Sequence, residues 1–246
     1  MNELEFRNKL MKKAGIIAAS ILQVVCKEAK QNVSLLELDE IAEQLCYENE
    51  VIPAFKGYEG FPNTLCVGVN DIVVHGIPNE YKLQSGDIVS FDFGIKYKKV
   101  FSDTAYTIII GEVSDEITKF VQTVEKAMYK GIAQAIPGNR VGDISNAIQS
   151  TVENRGYSVV REMVGHGVGY ALHEEPFVPG YGSKGKGEKL YEGQSLAIET
   201  IINMGKSAIE ISGSDGWTSR TKDGSLSALF EHTVIVKKKP EILTKW

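Results

Sequence analysis

The chain shows the same order of predicted elements twice, and this repeat limits its possible folds more than any other feature. Residues 3–30 place apolar side chains at helical spacing, and a second helix follows Ser34, which forms a capping box with Glu37. Ser114 then begins a long helix, predicted to run to about residue 137, and a shorter helix comes after it. Apolar positions of the two short helices match at an offset of 106 residues: Leu38, Ile41 and Ala42 correspond to Ile144, Ala147 and Ile148.

Strands are predicted after each helix pair, over residues 64–111 and again over about 157–236, where β-branched and aromatic residues are frequent. A chain of 246 residues suits one large domain. We therefore predict a single domain, 1–246, built from two halves related by a pseudo-twofold axis, roughly 1–112 and 113–246.

Composition excludes several classes of protein. The net charge of −5 and the pI of about 5.5 lack the basic character of nucleic-acid-binding proteins. No stretch reaches the roughly 18 apolar residues that span a bilayer, and the N-terminus is acidic where a signal peptide is basic. Cys26, Cys46 and Cys66 are odd in number and form no CxxC pair, which favours a reducing compartment. We expect a cytoplasmic protein that binds neither a membrane nor a specific nucleic acid.

Two aspartates lie in the predicted strands of the first half. Asp92 lies between two phenylalanines, where an unpaired carboxylate is costly, and Asp103 follows beyond a polar turn. A hairpin turning at Tyr97–Lys98 would place the two aspartates directly opposite each other, with Cβ atoms about 4.5–5.5 Å apart. Charges that close require a proton or a cation between them. Considered alone, Asp103 is more often a turn or cap residue and Asp92 a residue that faces solvent. The interpretation as a cation site therefore depends on further acids.

Those further acids occur in the second half. Glu199 and Glu231 each lie in the middle of an apolar predicted strand, and His166 lies between glycines that allow close approach to a ligand. A single strand glutamate would suggest half of a salt bridge, but four such carboxylates with one neutral imidazole carry a charge that two divalent ions would neutralise. This donor set suits Mn, Fe, Co or Zn without choosing among them. Without an HExxH motif or a cysteine cluster, a single zinc site of those kinds is not expected.

Five segments, taken in order, resemble type I methionine aminopeptidases of peptidase family M24. They are GYEGFP at 57–62, NDIVVHGIP at 70–78, GHGVG at 165–169, HEEP at 173–176 and FEHT at 230–233. The resemblance extends from about residue 4 to residue 236 and implies an α+β pita-bread fold, in which helices cover a curved antiparallel sheet. Type II relatives carry a long insertion in the second half, whereas only 32 residues separate Glu199 from Glu231 here.

The resemblance implies a metalloaminopeptidase, in which a hydroxide bridging two divalent metals attacks the first peptide bond and releases the initiator methionine of nascent polypeptides. The implied metal ligands are Asp92, Asp103, His166, Glu199 and Glu231. Glu199 would also transfer a proton, and His75 and His173 would contact the scissile amide and the developing oxyanion. The implied pocket for the methionine side chain contains Tyr58, Phe61, Cys66, Leu172 and Trp217.

The chain departs from the family pattern at three positions without losing an implied ligand. Thr200 stands where proline is usual, Glu59 where histidine is frequent, and Gly180 where a polar residue is frequent. Two other functions remain open. Prolidases and aminopeptidases P use the same five ligands, although they normally carry a long extra N-terminal domain, and some proteins of this fold bind partners without catalysis.

A contact with the ribosome is one further expectation. Residues 180–193 are rich in glycine and lysine and are predicted to form an exposed loop. Lysines there and near the C-terminus could meet ribosomal RNA phosphates: Lys184, Lys186, Lys189 and Lys237–Lys239. Such runs are more often merely solvated. The family resemblance also implies a monomer.

Overall fold

Four helices form in the computed structural model, which describes residues 2–211 and 215–245. They are α1 (Glu3–Glu28), α2 (Leu35–Glu48), α3 (Asp115–Ile132) and α4 (Val141–Glu153). The capping box predicted at Ser34 is confirmed, because its side chain accepts the Glu37 N–H and the Glu37 carboxylate accepts the Ser34 N–H. The long helix α3 ends at Ile132 rather than near residue 137, since the residue before Pro137 is disfavoured in helical conformation.

The strands form two antiparallel sheets. In chain order they are β1 (Ile52–Pro53), β2 (Cys66–Val69), β3 (Ile72–Val74), β4 (Ile88–Tyr97), β5 (Val100–Ile109), β6 (Ser158–Val159), β7 (Gly165–Gly167), β8 (Glu174–Val178), β9 (Ser195–Asn203), β10 (Ile209–Ile211), β11 (Ser219–Thr221), β12 (Ser227–Ile235) and β13 (Glu241–Ile242). The large sheet runs β1-β4-β5-β12-β9-β7-β8, with β2 paired to β4, β6 to β9 and β13 to β12. The small sheet runs β10-β11-β3. In the described part of the chain, no helix is long and apolar enough to cross a membrane.

Each helix pair packs on a different group of strands of the large sheet, and both pairs lie on the same face. This arrangement follows the order of elements in the repeat. Helices α1 and α2 share a hydrophobic core with β4 and β5 that includes Phe91 and Phe93, and α3 and α4 share another with β9 and β12 that includes Ile198 and Phe230. Side chains alternate across a strand, so the acids between these residues point to the opposite face of the sheet. The predicted strand acids are thereby gathered on the face away from the helices.

The β4–β5 hairpin corrects one prediction. Its turn lies at Lys98–Lys99 rather than at Tyr97–Lys98, with Lys98 in the left-handed region (φ 57°). Asp103 therefore pairs with Gly94, and the prediction that Asp92 and Asp103 lie directly opposite each other is wrong. The error is two residues, which is one full side-chain period, so both aspartates remain on the same face as diagonal neighbours.

The two halves meet along β5 and β12, where side-chain hydroxyls replace part of the backbone pairing. Two residue pairs are in ladder register, Ala105 with Glu231 and Thr104 with His232. Next to them, the buried Thr233 hydroxyl accepts the Asp103 N–H at 2.9 Å and donates to the Asp103 carbonyl at 2.7 Å. One threonine thus satisfies both backbone groups of Asp103 and fixes its position at the junction.

Replacing Thr233 with valine tests this junction. The isosteric change leaves the buried N–H and C=O of Asp103 without a partner, and the expected loss is about 1–3 kcal/mol of unfolding free energy. Urea denaturation of T233V measures it. T123V is the matched control, since the Thr123 hydroxyl only returns to a carbonyl of its own exposed helix turn, and it should cost less than about 0.5 kcal/mol. Equal stability of the two variants would contradict the role given to Thr233.

Candidate active site

A cavity of about 290 Å³ opens on the sheet face that points away from the helices. Every site residue predicted from the sequence lines it: Tyr58, Phe61, Cys66, His75, Asp92, Asp103, His166, Leu172, His173, Glu199, Trp217 and Glu231. The fourth histidine, His232, lies elsewhere, with Nδ1 2.9 Å from the Thr244 hydroxyl. Segments far apart in sequence therefore converge as the motifs indicated.

The four acids come from the four central strands, two from each half. Glu199 on β9 and Glu231 on β12 are directly opposite each other, and Asp92 on β4 and Asp103 on β5 are diagonal neighbours. Ligand atoms of Asp103, His166 and Glu231 lie within 4.8 Å of one another. Carboxylates from both halves thus surround one small volume with an imidazole beside it.

Burial and mutual repulsion disfavour the ionised forms of these acids. Burial raises the pKa of Asp103 to about 7 and, together with the Asp103 charge, that of Glu199 to about 8. The pKa values of Asp92 and Glu231 also lie well above their usual range, first because of burial and then because of the neighbouring carboxylates. All four could be ionised at neutral pH only beside a compensating positive charge.

The donor set fits divalent metal ions. Asp92 Oδ1 and Glu231 Oε1 are buried without a hydrogen-bond partner in the described structure, which is costly unless a cation satisfies them. Gly94 helps to keep this space open, because a Cβ there would lie 2.9 Å from Phe55 Cε1 and 3.3 Å from Asp103 Oδ1. Oxygen donors with one imidazole suit Mn, Fe, Co or Zn, as expected from the sequence.

His166 is held in the form that a metal requires. Its Nδ1 lies 2.9 Å from the Gly167 carbonyl, and because a carbonyl can only accept, Nδ1 carries the proton. Burial lowers the pKa of His166 to about 4, so the ring is neutral at pH 7. The remaining nitrogen, Nε2, therefore has a free lone pair, the usual arrangement of a ligating histidine with an oriented second nitrogen.

Two further histidines border the cavity. His173 stacks edge-on against His166 at 4.4 Å between ring centroids, and its Nδ1 shares a hydrogen bond of 2.9 Å with the Tyr58 hydroxyl. His75 takes a left-handed backbone conformation (φ 56°) and packs edge-on against Trp217. Burial lowers the pKa of both His75 and His173, which favours neutral rings that can donate or accept a hydrogen bond.

An apolar recess adjoins the acids. Phe61 and Trp217 meet edge to face at 5.3 Å, and Cys66 and Leu172 are buried in the same cluster. Burial raises the pKa of the Cys66 thiol well above its usual value, so it is a neutral wall group rather than a nucleophile. The recess is therefore an apolar, partly aromatic part of the cavity wall.

The sequence analysis did not identify Asp39, which binds the segment that precedes Cys66 of this recess. Its buried carboxylate accepts the N–H groups of Thr64 and Leu65 at 3.0 and 2.7 Å and the side-chain amide of Asn63 at 2.6 Å. It thereby anchors α2 to the loop that precedes Cys66. An acid inside the apolar pattern of α2 was the available signal, but its partners are about 25 residues away in sequence.

The three departures from the family pattern lie around the site rather than among its acids. Thr200 is buried on the helix-facing side of β9, where its hydroxyl donates to the Phe230 carbonyl at 3.2 Å. Gly180 approaches Val159 outside the cavity. Glu59 is exposed and lines the cavity. Four further residues that the sequence did not single out also line it: Phe55, Glu162, Met163 and Phe177.

Comparison with known proteins places the chain in a family. The model of metallopeptidase family M24 matches residues 9–238, and the chain belongs to this family of divalent-metal enzymes. It is similar to a protein named methionine aminopeptidase from Clostridium perfringens, with 45% identity over 96% of this chain and 94% of the relative. Methionine aminopeptidase 1 from Bacillus subtilis is 44% identical over 92% and 91% of the two chains. The resemblance drawn from the motifs is confirmed.

Solved structures give the same result for the fold. A methionine aminopeptidase from Rickettsia prowazekii superposes with a TM-score of 0.96 at 39% identity, covering 98% of both chains. A prolidase from Pyrococcus furiosus superposes with a TM-score of 0.79 at 22% identity, covering 98% of this chain and 64% of that one, which shows a shared fold alone. The predicted pita-bread fold is confirmed.

The raised pKa values predict how metal binding depends on pH. A carboxyl group whose pKa is higher in the folded than in the unfolded state stabilises the fold while it is protonated. For Asp103 and Glu199 this stabilisation is complete below their unfolded pKa values, near 4, and it is lost as pH rises through their folded pKa values of about 7 and 8. Metal competes with those protons. Mn²⁺ at a hundredfold excess over its Kd at pH 8 should raise Tm by about 5–10 °C at that pH. The same Mn²⁺ concentration should raise Tm clearly less at pH 6. Thermal denaturation of chelator-treated protein, with and without Mn²⁺, measures this, and an equal or larger increase at pH 6 would contradict it.

Proposed function

We propose that the chain is a methionine aminopeptidase, with the acidic cavity as its active site and two divalent metals as cofactors. It removes the initiator methionine from nascent proteins and peptides. The observation that carries the proposal is the convergence of four strand carboxylates and one neutral imidazole beside an apolar aromatic recess. Family membership and the relatives named methionine aminopeptidase support it.

The family resemblance implies the ligand roles, and each is compatible with the position of its residue. Asp103 and Glu231, which lie at the junction of the halves, would be shared by the two metals. Asp92 would hold metal on the β4 side, whereas His166 and Glu199 would hold metal on the β9 side, where His166 pairs with Ala197 in the neighbouring strand. The resulting charge of −4 on the protein groups balances two divalent ions.

Catalysis needs a nucleophile, a stabilised oxyanion and a proton for the leaving amine. Divalent metals supply Lewis-acid polarisation and lower the pKa of water towards neutrality. His173 is oriented by Tyr58 and donates a hydrogen bond to the carbonyl oxygen as its negative charge develops. His75 contacts the scissile amide. Glu199 would take the proton of the attacking water and pass it to the leaving amine, the role that the family resemblance implies for it.

The recess gives the preference for methionine. Phe61, Cys66, Leu172 and Trp217 enclose an apolar volume, and Tyr58 closes it towards solvent. The Phe61–Trp217 pair offers ring edges and faces that favour contact with a thioether sulfur. The free α-amine of the substrate would lie at the metals that the acids beside the recess would hold, so only the first residue is removed.

Two alternatives were left open by the sequence. Prolidase-like activity has the weaker support, because the prolidase similarity is one of fold and this chain spans only 64% of that structure. A binding protein without catalysis would not require four clustered acids, two of which have a buried oxygen without a hydrogen-bond partner in the described structure.

We place the enzyme in the cytoplasm as a monomer. The three cysteines are free thiols, which suits a reducing compartment. The predicted lysine loop is exposed from Ser183 to Lys189, so that its charges are available to ribosomal RNA. Salt-sensitive co-sedimentation with ribosomes tests that contact, and absence of binding at low salt would contradict it.

The primary test is metal-dependent hydrolysis. Metal-stripped protein is assayed on Met-Ala-Ser and on a Xaa-Pro peptide after addition of Mn²⁺, Co²⁺, Fe²⁺ or Zn²⁺. We expect release of methionine from the first peptide alone. Cleavage restricted to the Xaa-Pro peptide would assign the chain to prolidases, and no cleavage with metal bound would support a non-catalytic protein.

Loss of a bridging carboxylate should abolish dinuclear binding. D103A and E231A each remove a ligand of both metals, so titration calorimetry should lose the two-site isotherm and activity should fall by at least about a thousandfold, because the metals supply most of the catalysis. E40Q, at an exposed position of α2, is the control with unchanged binding. Two bound metals and full activity in either alanine variant would overturn the assignment.

Removing the His173 ring should act on the transition state. H173A is expected to lower kcat about a hundredfold with a smaller change in KM, the usual effect of deleting one oxyanion donor. H232A is the contrast, since that ring is outside the cavity and should affect stability more than kcat. A loss confined to KM in H173A would contradict the role of His173.

A further inference from the structure

The mouth of the cavity differs in chemistry from its interior. The buried end is formed by Phe61, Cys66 and Leu172, together with the acids assigned to the metals. The open end, beyond the exposed His173, is formed by the exposed side chains of Tyr58, Glu59, Glu162 and Phe177. If the first peptide bond of the substrate lies at the acids, the rest of the substrate chain extends out of the cavity along these four side chains.

The mouth carries uncompensated negative charge. Among the described residues that line the cavity there is no lysine or arginine. The basic residues next to them in sequence have other partners: Lys56 pairs with Glu43, and the Arg161 guanidinium stacks on the Tyr181 ring at 4.8 Å. Neither Glu59 nor Glu162 forms an ion pair with another described residue. Two metals would neutralise the four interior acids but leave these two charges.

Local hydrogen bonds fix the backbone of Glu59 and the carboxylate of Glu162. Glu59 is the central residue of a single tight turn, with left-handed backbone angles (φ 48°, ψ 20°), and the Gly57 N–H closes the loop on the Phe61 carbonyl at 2.7 Å. Glu59 lies within electrostatic reach of His173. The Glu162 carboxylate accepts the Arg161 N–H at 3.1 Å. Less entropy is lost on binding when the groups that carry the charges are already restrained, which favours discrimination between substrates.

We infer that Glu59 and Glu162 select substrates with a basic residue soon after the first two. A lysine or arginine at the third position would meet two carboxylates, and its alkyl stem and cation would pack on the exposed rings of Tyr58 and Phe177. An acidic residue there would be repelled by both. This selectivity rests on the proposed function and adds a substrate class to it, namely polypeptides with a positively charged N-terminal region.

The test compares C-terminally amidated Met-Ala-Xaa-Ser peptides in which Xaa is Lys, Gln or Glu. The amide removes the terminal carboxylate, so only the third residue changes the charge. Exposed ion pairs contribute about 0.2–1 kcal/mol each, equivalent to about 1.4- to fivefold, so two attractions and two repulsions predict a Lys-to-Glu ratio in kcat/KM of roughly tenfold. Raising NaCl to about 1 M, where the screening length is about 3 Å, should bring the ratio close to one.

Isosteric variants assign the effect to the two residues. E59Q and E162Q should each reduce the ratio, and the double variant should bring it below about twofold. E40Q is the matched remote control and should keep the full ratio. A ratio near one in the original enzyme, or one unchanged in the double variant, would overturn the inference alone. Failure to release methionine from the Gln peptide in the original enzyme would overturn the proposed function and this inference with it.

Discussion

Repulsion among four closely placed carboxylates is the constraint on which the rest of the structure depends. Asp92, Asp103, Glu199 and Glu231 face one volume, and the fold provides no lysine or arginine among the described residues around it. Burial raises the pKa values of all four well above those of free acids, and neighbouring carboxylates raise those of Asp92, Glu199 and Glu231 further, so that without a cation the acids bind protons. The site is therefore unfavourable by itself and favourable with divalent metal, and this difference drives metal binding.

The sheet is organised to maintain that arrangement. Helices cover one face and bury Phe91, Phe93 and Phe230, so the alternating acids are directed to the other face. The halves join at Asp103 and Glu231, where Thr233 satisfies the backbone of Asp103. Because the two halves contribute ligands to the same volume, their relative position is part of the catalytic geometry. Asp39 accepts the N–H groups of Thr64 and Leu65 and so fixes the segment that leads into Cys66.

Much of this could be predicted from local signals. Capping boxes, helical periodicity and isolated acids in apolar strands depend on neighbours within a few residues, and they identified the helices, the strand acids and His166. Features that depend on contacts between residues far apart in sequence were harder to predict. The hairpin register depended on Lys98 adopting a positive φ, which its sequence does not require, and the direct opposition of Glu199 and Glu231 depends on pairing between strands 32 residues apart. The partners of Asp39 and the acidic mouth arise only when separate segments meet. The roles proposed for the individual ligands came from the family resemblance, and the geometry of the cavity is compatible with them.

The most direct test of this account is anomalous diffraction from crystals of the Mn²⁺-loaded protein. The account predicts two peaks about 3.5–4 Å apart, both within bonding distance of Asp103 and Glu231, with Asp92 beside one and His166 and Glu199 beside the other. A single peak, or manganese bound away from the junction of the two halves, would contradict the claim that the four carboxylates form one dinuclear centre.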